Sequence, residues 1–153
     1  MNGTAAVTIS PEDADVLAAR LLGDLRTKLG GLEIAHARRV AGQLRGTNDD
    51  RVIVAALLHD VLEKTDVSAA ELVAMTGDAG VVALVEVLSR RESESDHDYL
   101  SRCAADPIAR VLKRVDLSDK LVADDVLVPP DVAEQVRQEA RERIALLDRL
   151  EPS

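Results

Sequence analysis

Apolar residues recur along this chain at spacings of three and four, the period of a helix with one buried face. Val16, Leu17, Leu21, Leu22, Leu25 and Leu29 make the first such stripe. Ser10 stands before it as a cap, Pro11 fits the first turn, and Glu12 and Asp13 face the positive end of the helix dipole. Gly30-Gly31 is the first strong stop signal, so the pattern predicts a helix from residue 11 to about 29. A second helix is expected over 32–45, with Ile34, Val40 and Leu44 inward, and a third over 49–64 after the turn Gly46-Thr47-Asn48. Thr65-Asp66-Val67-Ser68 starts a shorter one through Met75. Val81, Leu84, Val85 and Leu88 have strand propensity, but their spacing predicts a helix capped by Asp78. Residues 90–98 read as a polar loop. Asp106-Pro107 opens a long helix to about residue 125, and Pro129-Pro130-Asp131 separates a last one over 132–150. Its stripe of Val132, Val136, Ala140, Ile144 and Leu147 suits packing within the chain, with a homodimer face as the alternative. Residues 1–9 are weakly patterned and predict a flexible tail. The expectation is one all-α bundle of about seven or eight helices over residues 10–153.

Composition narrows what such a bundle does. The chain has 153 residues with one Tyr, no Trp and no Phe, so its core must be aliphatic and aromatic platforms for stacking bases are lacking. A net charge of −9 offers no broad basic surface, which argues against nucleic acid but not against a small phosphorylated ligand. The single cysteine, Cys103, suits a reducing compartment and a buried bystander role. There is no signal-peptide pattern and no apolar run long enough for a membrane span, so a cytoplasmic protein is expected.

One stretch breaks the apolar logic. Ala55-Ala56-Leu57-Leu58-His59-Asp60-Val61-Leu62-Glu63 is a greasy helical run that delivers three groups which are costly to bury unless paired or bound to a cation. His36 lies on the preceding helix and could meet them by antiparallel packing, and Asp116 lies downstream among Val111, Leu112 and Val115. A second His-Asp, His97-Asp98, has no such company and reads as an exposed bystander. Two imidazoles and two carboxylates suit Mn²⁺, with Fe²⁺, Co²⁺ or Zn²⁺ as alternatives. Glu63 shares a helix side with His59 and Asp60 and suits the base that orients an attacking water. The alternative makes His36 and His59 core histidines hydrogen-bonded to Asp60 and Asp116. Arg90 suits a phosphate grip or a solvated pair with Arg91, and only one of Arg38 and Arg39 can face a cleft.

These residues, in this order, resemble the HD-domain metal-dependent phosphohydrolases, closest to the branch of guanosine tetraphosphate 3′-pyrophosphohydrolases. The likeness rests on His36-Ala37-Arg38-Arg39-Val40-Ala41, on the stretch from Ala55 to Thr65, and on Lys113-Arg114-Val115-Asp116-Leu117-Ser118-Asp119-Lys120-Leu121. It implies His36, His59, Asp60 and Asp116 as metal ligands, Glu63 as the water-orienting acid and Lys28 as a substrate contact; Arg39 and Arg90 are candidate substrate contacts from the residues alone. A phosphorylated nucleoside is the implied partner. The chain departs from the motif at three positions: Glu33 replaces an aromatic, Lys64 an Asp and Lys120 an Asn. Lys64 and Lys120 each follow a ligand aspartate by four residues, the spacing of a helical ion pair. They suit phosphate-binding point charges in an altered hydrolase. They equally suit ammonium groups that replace the ion in a pocket binding nucleotide or a protein partner without hydrolysis, or they reach out to solvent.

Overall fold

Ser10 accepts a hydrogen bond from the Asp13 N–H at 3.1 Å, and Pro11 begins the first helix, α1 (Pro11–Leu22), of a computed structural model that describes residues 8–151. The tail expected over 1–9 lies outside the described residues up to residue 7. Ile9, near its end, packs on the core and donates its N–H to the Thr76 carbonyl at 3.1 Å. α1 stops seven residues earlier than the apolar stripe predicts. Gly23 turns left-handed (φ +55°) and caps the helix by donating to Ala19 O, a conformation that costs glycine nothing. Leu25 is therefore exposed, and Leu29 is buried in a separate cluster with Ala123, Ala133 and Val136. Both leucines keep helical spacing by chance of sequence while the backbone folds back through a short antiparallel bridge from Arg26 to Leu32.

α2 (Glu33–Gln43) and a 3₁₀ turn lead to α3 (Asp50–Leu58), capped by Asp49. Residues 52–58 of α3 are all buried, so this helix forms the centre of the bundle, packed by α1, α2 and later α6. The predicted 49–64 helix is interrupted at His59-Asp60, and only the short α4 (Val61–Lys64) continues it. α5 (Ala69–Thr76) has a capping box between Ser68 and Glu71. α6 (Ala79–Leu88) is helical and capped by Asp78, as its spacing predicts. α7 (Asp96–Ala105) begins inside the expected polar loop because Ser95 caps it, which puts His97 in an exposed first turn. α8 (Pro107–Val122) ends short of residue 125, and α9 (Pro130–Arg149) lies across α7 and α8.

The described residues thus form eight helices of eight residues or more plus the four-residue α4, with no strand. The core is aliphatic apart from Tyr99, whose hydroxyl donates to the Leu88 carbonyl. Val136, Ala140 and Leu147 of the α9 stripe are buried within the chain, while Val132 stays partly exposed. No described helix is long and apolar enough to cross a membrane.

Candidate metal centre

The facing sides of α2 and α8 close over the α3–α4 junction, and this positions the site. His36 comes from α2, His59 and Asp60 from the two residues between α3 and α4, and Asp116 from the middle of α8. One nitrogen or oxygen from each lies within 4.8 Å of all the others. His36 Nε2 is 2.7 Å from Asp116 Oδ1 and 3.7 Å from Asp60 Oδ2. His59 Nε2 is 3.3 Å from Asp116 Oδ1 and 3.2 Å from Asp60 Oδ2.

The opposite nitrogens decide the chemistry. His59 Nδ1 lies 2.6 Å from the Ala56 carbonyl, which can only accept, so Nδ1 carries the proton. His36 Nδ1 donates likewise to Asp119 Oδ2 at 2.6 Å. In its neutral form each imidazole therefore aims an Nε2 lone pair at carboxylate oxygens. Four electron-pair donors converge on one point, and only a positive charge there, a proton or a metal ion, satisfies them. The outer partners that fix both tautomers are those a ligating histidine needs. The donor set fits a divalent ion of intermediate softness.

Charge in the cluster follows the same geometry. Burial alone would lower the His59 imidazole, but the charges of Asp60 and Asp116 outweigh it and hold it well above the usual histidine value. His36 is opposed by burial too, and its hydrogen bonds to Asp116 and Asp119 raise it. Burial pushes the Asp60 and Asp116 carboxyls upward, yet both stay well below the ordinary range. His59 does this for Asp60, and Lys113, Lys120 and His59 for Asp116.

His36, Asp60 and Asp116 line a cleft, with His59 buried behind them, together with the other residues singled out from sequence: Lys28, Arg39, Glu63, Lys64, Arg90 and Lys120. Lys28 is exposed on its rim and makes no ion pair among the described residues. Arg39 faces the cleft, gripping Asp119 with Nε and Nη2 at 2.8 and 3.0 Å and Asp125 at 3.1 Å, while Arg38 turns outward to Asp15. Arg90 is not a solvated partner of Arg91: it pairs with Asp96, donates to the Glu94 carbonyl and lies 4.7 Å over the Tyr99 ring. Glu63 accepts the Arg90 backbone N–H at 2.7 Å. Lys120 Nζ is 3.9 Å from Asp116 Oδ1, the long limit of an ion pair. Lys64 does not bond Asp60; its Nζ donates to Glu33 Oε1 at 2.8 Å. Val111, expected on the buried face beside Asp116, is 53% exposed, and Leu112 supplies that packing instead.

Two residues of the site were not singled out from sequence. Lys113 lies against Asp116 Oδ2 at 2.8 Å and 4.8 Å over the Tyr99 ring, and Asp119 joins His36 to Arg39. Both are three residues from Asp116 on the same helix, so i±3 spacing was the available signal.

No family model matches the chain, and no curated protein does. An all-α bundle with a His on an early helix, a His-Asp at a helix junction and an Asp on a later helix is the HD-domain fold. Among solved structures it is similar to that of a metazoan ortholog of SpoT, described as hydrolysing ppGpp and playing a role in starvation responses. The two superpose with a TM-score of 0.69 at 23% identity, over 96% of this chain and 88% of the other. At that identity the likeness establishes the fold.

Proposed function

We propose that this chain is a divalent-metal-dependent phosphohydrolase acting on a phosphorylated nucleoside, with guanosine tetraphosphate pyrophosphohydrolase as the specific activity. The observation that carries this reading is the convergence of two Nε2 lone pairs and two carboxylates at the floor of a cleft rimmed by lysine and arginine. His36, His59, Asp60 and Asp116 are the proposed ligands, and Mn²⁺ is the proposed ion, with Fe²⁺, Co²⁺ or Zn²⁺ as alternatives. Such an ion supplies Lewis acidity, making water a nucleophile near neutral pH and offsetting charge on a phosphoryl oxygen.

The chain's own groups do the rest. Glu63, held in place by the Arg90 N–H, is the proton acceptor for the attacking water. Lys28 is free to meet a phosphate at the rim, and Lys120, weakly held by Asp116, can turn its ammonium to a phosphoryl oxygen. Arg39 and Arg90 are committed to carboxylates, so they shape the walls and contribute positive potential. The cleft offers about 140 Å³. That is below the roughly 300–1,000 Å³ of pockets that engulf a drug-sized ligand, which suits a pose with the phosphoryl end at the proposed metal ligands and the base toward the rim. The buried, free Cys103 suits the cytoplasm as the working compartment.

The test is pyrophosphate release from guanosine tetraphosphate with Mn²⁺. Turnover should fall by roughly 10²–10⁴ in Glu63→Gln, as for loss of a general base, with the metal retained. Absence of release from this and from other phosphorylated nucleosides would sink the reading.

A second reading has one observation in its favour. Lys113 and Lys120 both place ammonium groups on Asp116, next to where the ion would sit. In that case the cleft binds nucleotide without hydrolysing it, and Lys120→Asn, which removes the ammonium beside Asp116 Oδ1, should create or greatly raise metal binding and hydrolysis.

A further inference from the structure

Glu33 and Lys64, two of the three departures from the resembled motif, are bonded to each other. Glu33 is 1% exposed yet lines the cleft one turn before His36. Lys64 occupies only Oε1. Oε2 is fully buried, and no group among the described residues donates to it. A buried carboxylate oxygen without a donor is costly, and natural proteins leave few of them. A purely structural tie between α2 and α4 gives no account of this unmet oxygen in a residue that lines the cleft. An aromatic side chain at residue 33 would offer a stacking face; a carboxylate offers a hydrogen-bond acceptor.

We infer that Glu33 is a specificity-determining residue whose Oε2 accepts a hydrogen bond from a sugar hydroxyl of the substrate, with Lys64 clamping Oε1 to aim it. The sugar is the donor that the geometry favours. With the phosphoryl group at the proposed metal ligands, the sugar that adjoins it comes next to Glu33, one turn from His36, and the base lies further out. Carboxylates read ribose hydroxyls in this way in other nucleotide sites. The only aromatic ring of the cleft, Tyr99, is buried and covered by Arg90 and Lys113, so stacking offers no competing selectivity. This inference rests on the proposed nucleotide ligand, not on its hydrolysis.

The experiment measures binding by calorimetry to the Mn²⁺-treated protein, with guanosine 5′-diphosphate and its 2′,3′-dideoxy analogue as probes. The intact protein should bind the ribose form about 10-fold or more tightly, the worth of a hydrogen bond to a charged acceptor. Glu33→Leu should bring that ratio to about 1 by weakening the ribose probe alone, and Glu33→Gln, which keeps an acceptor, should retain part of it. Equal binding of the two probes by the intact protein, or no binding of either, overturns the inference. So does a Glu33→Leu protein that melts normally and keeps the ratio, or weakens both probes equally. Phosphate release is not read, so a protein that hydrolyses nothing but still prefers the ribose probe loses the hydrolase reading and keeps this one.

Discussion

Asp116 divides its two oxygens: Lys113 holds Oδ2 at 2.8 Å, and Oδ1 faces Nε2 of His36 and His59 at 2.7 and 3.3 Å. Without a metal ion, the positive charge facing Oδ1 comes from protonated imidazoles, which titrate above the ordinary value of 6.5. Groups raised on folding stabilise fully below their unfolded pKa, and that contribution is lost as pH rises through the raised folded values. The depressed carboxyls of Asp60, Asp116 and Asp119 work the other way, losing their contribution only as pH falls through their lowered values. The metal-free protein should therefore lose thermal stability as pH rises above about 6.5, because neutral imidazoles then turn lone pairs toward carboxylates. Mn²⁺ should raise Tm more at about pH 8 than at about pH 6, where protons compete for the same nitrogens. Melting curves at the two pH values, with and without Mn²⁺, check this. A larger metal-induced rise at the lower pH would contradict it.

Helix boundaries show what periodicity carries and what it hides. α6 was legible because four apolar positions and a capping Asp78 agree, and the structure has that cap accepting from the Val81 N–H at 3.1 Å. Asp78 also takes both donors of the Arg51 fork, at 3.0 and 2.6 Å. Asp78→Ala should cost about 1–2 kcal/mol in urea unfolding, the upper range for a lost cap, with metal binding unchanged. The end of α1 was not legible: Leu25 and Leu29 continue the stripe, and the left-handed Gly23 that ends the helix looks like any tolerated glycine. The break at His59-Asp60 was equally hidden, because the apolar run before it and Val61-Leu62 after it carry the same helical period. The two residues between α3 and α4 are the ones that enter the cluster. The start of α7 inside a polar stretch was missed because capping by Ser95, not hydrophobicity, nucleates it.

The chain as a unit carries a net charge of −9, yet its cleft is lined by Lys28, Arg39, Lys64, Arg90, Lys113, Lys120 and Arg143. Bulk charge argued against a nucleic-acid surface from sequence, but only the folded chain brings these cations from separate elements to one place. The four proposed ligands were legible because two imidazoles and two acids interrupt otherwise apolar helices. Lys113 and Asp119 were not, since a charged residue in a helix ordinarily points to solvent and their i±3 spacing from Asp116 was the one local signal that these two turn inward. The same holds for the Glu33–Lys64 pair, whose members are 31 residues apart. The hydrolase reading depends on whether the four converging donors of the site hold a metal ion. That is measured by loading the purified protein with Mn²⁺, removing free ion and determining bound metal by elemental analysis, with His59→Ala as the control. About one ion per chain, lost in the variant, is the result expected of a site with one ligand set. No bound ion in the intact protein would contradict the metal centre and leave the lysine-filled, nucleotide-binding pocket in its place.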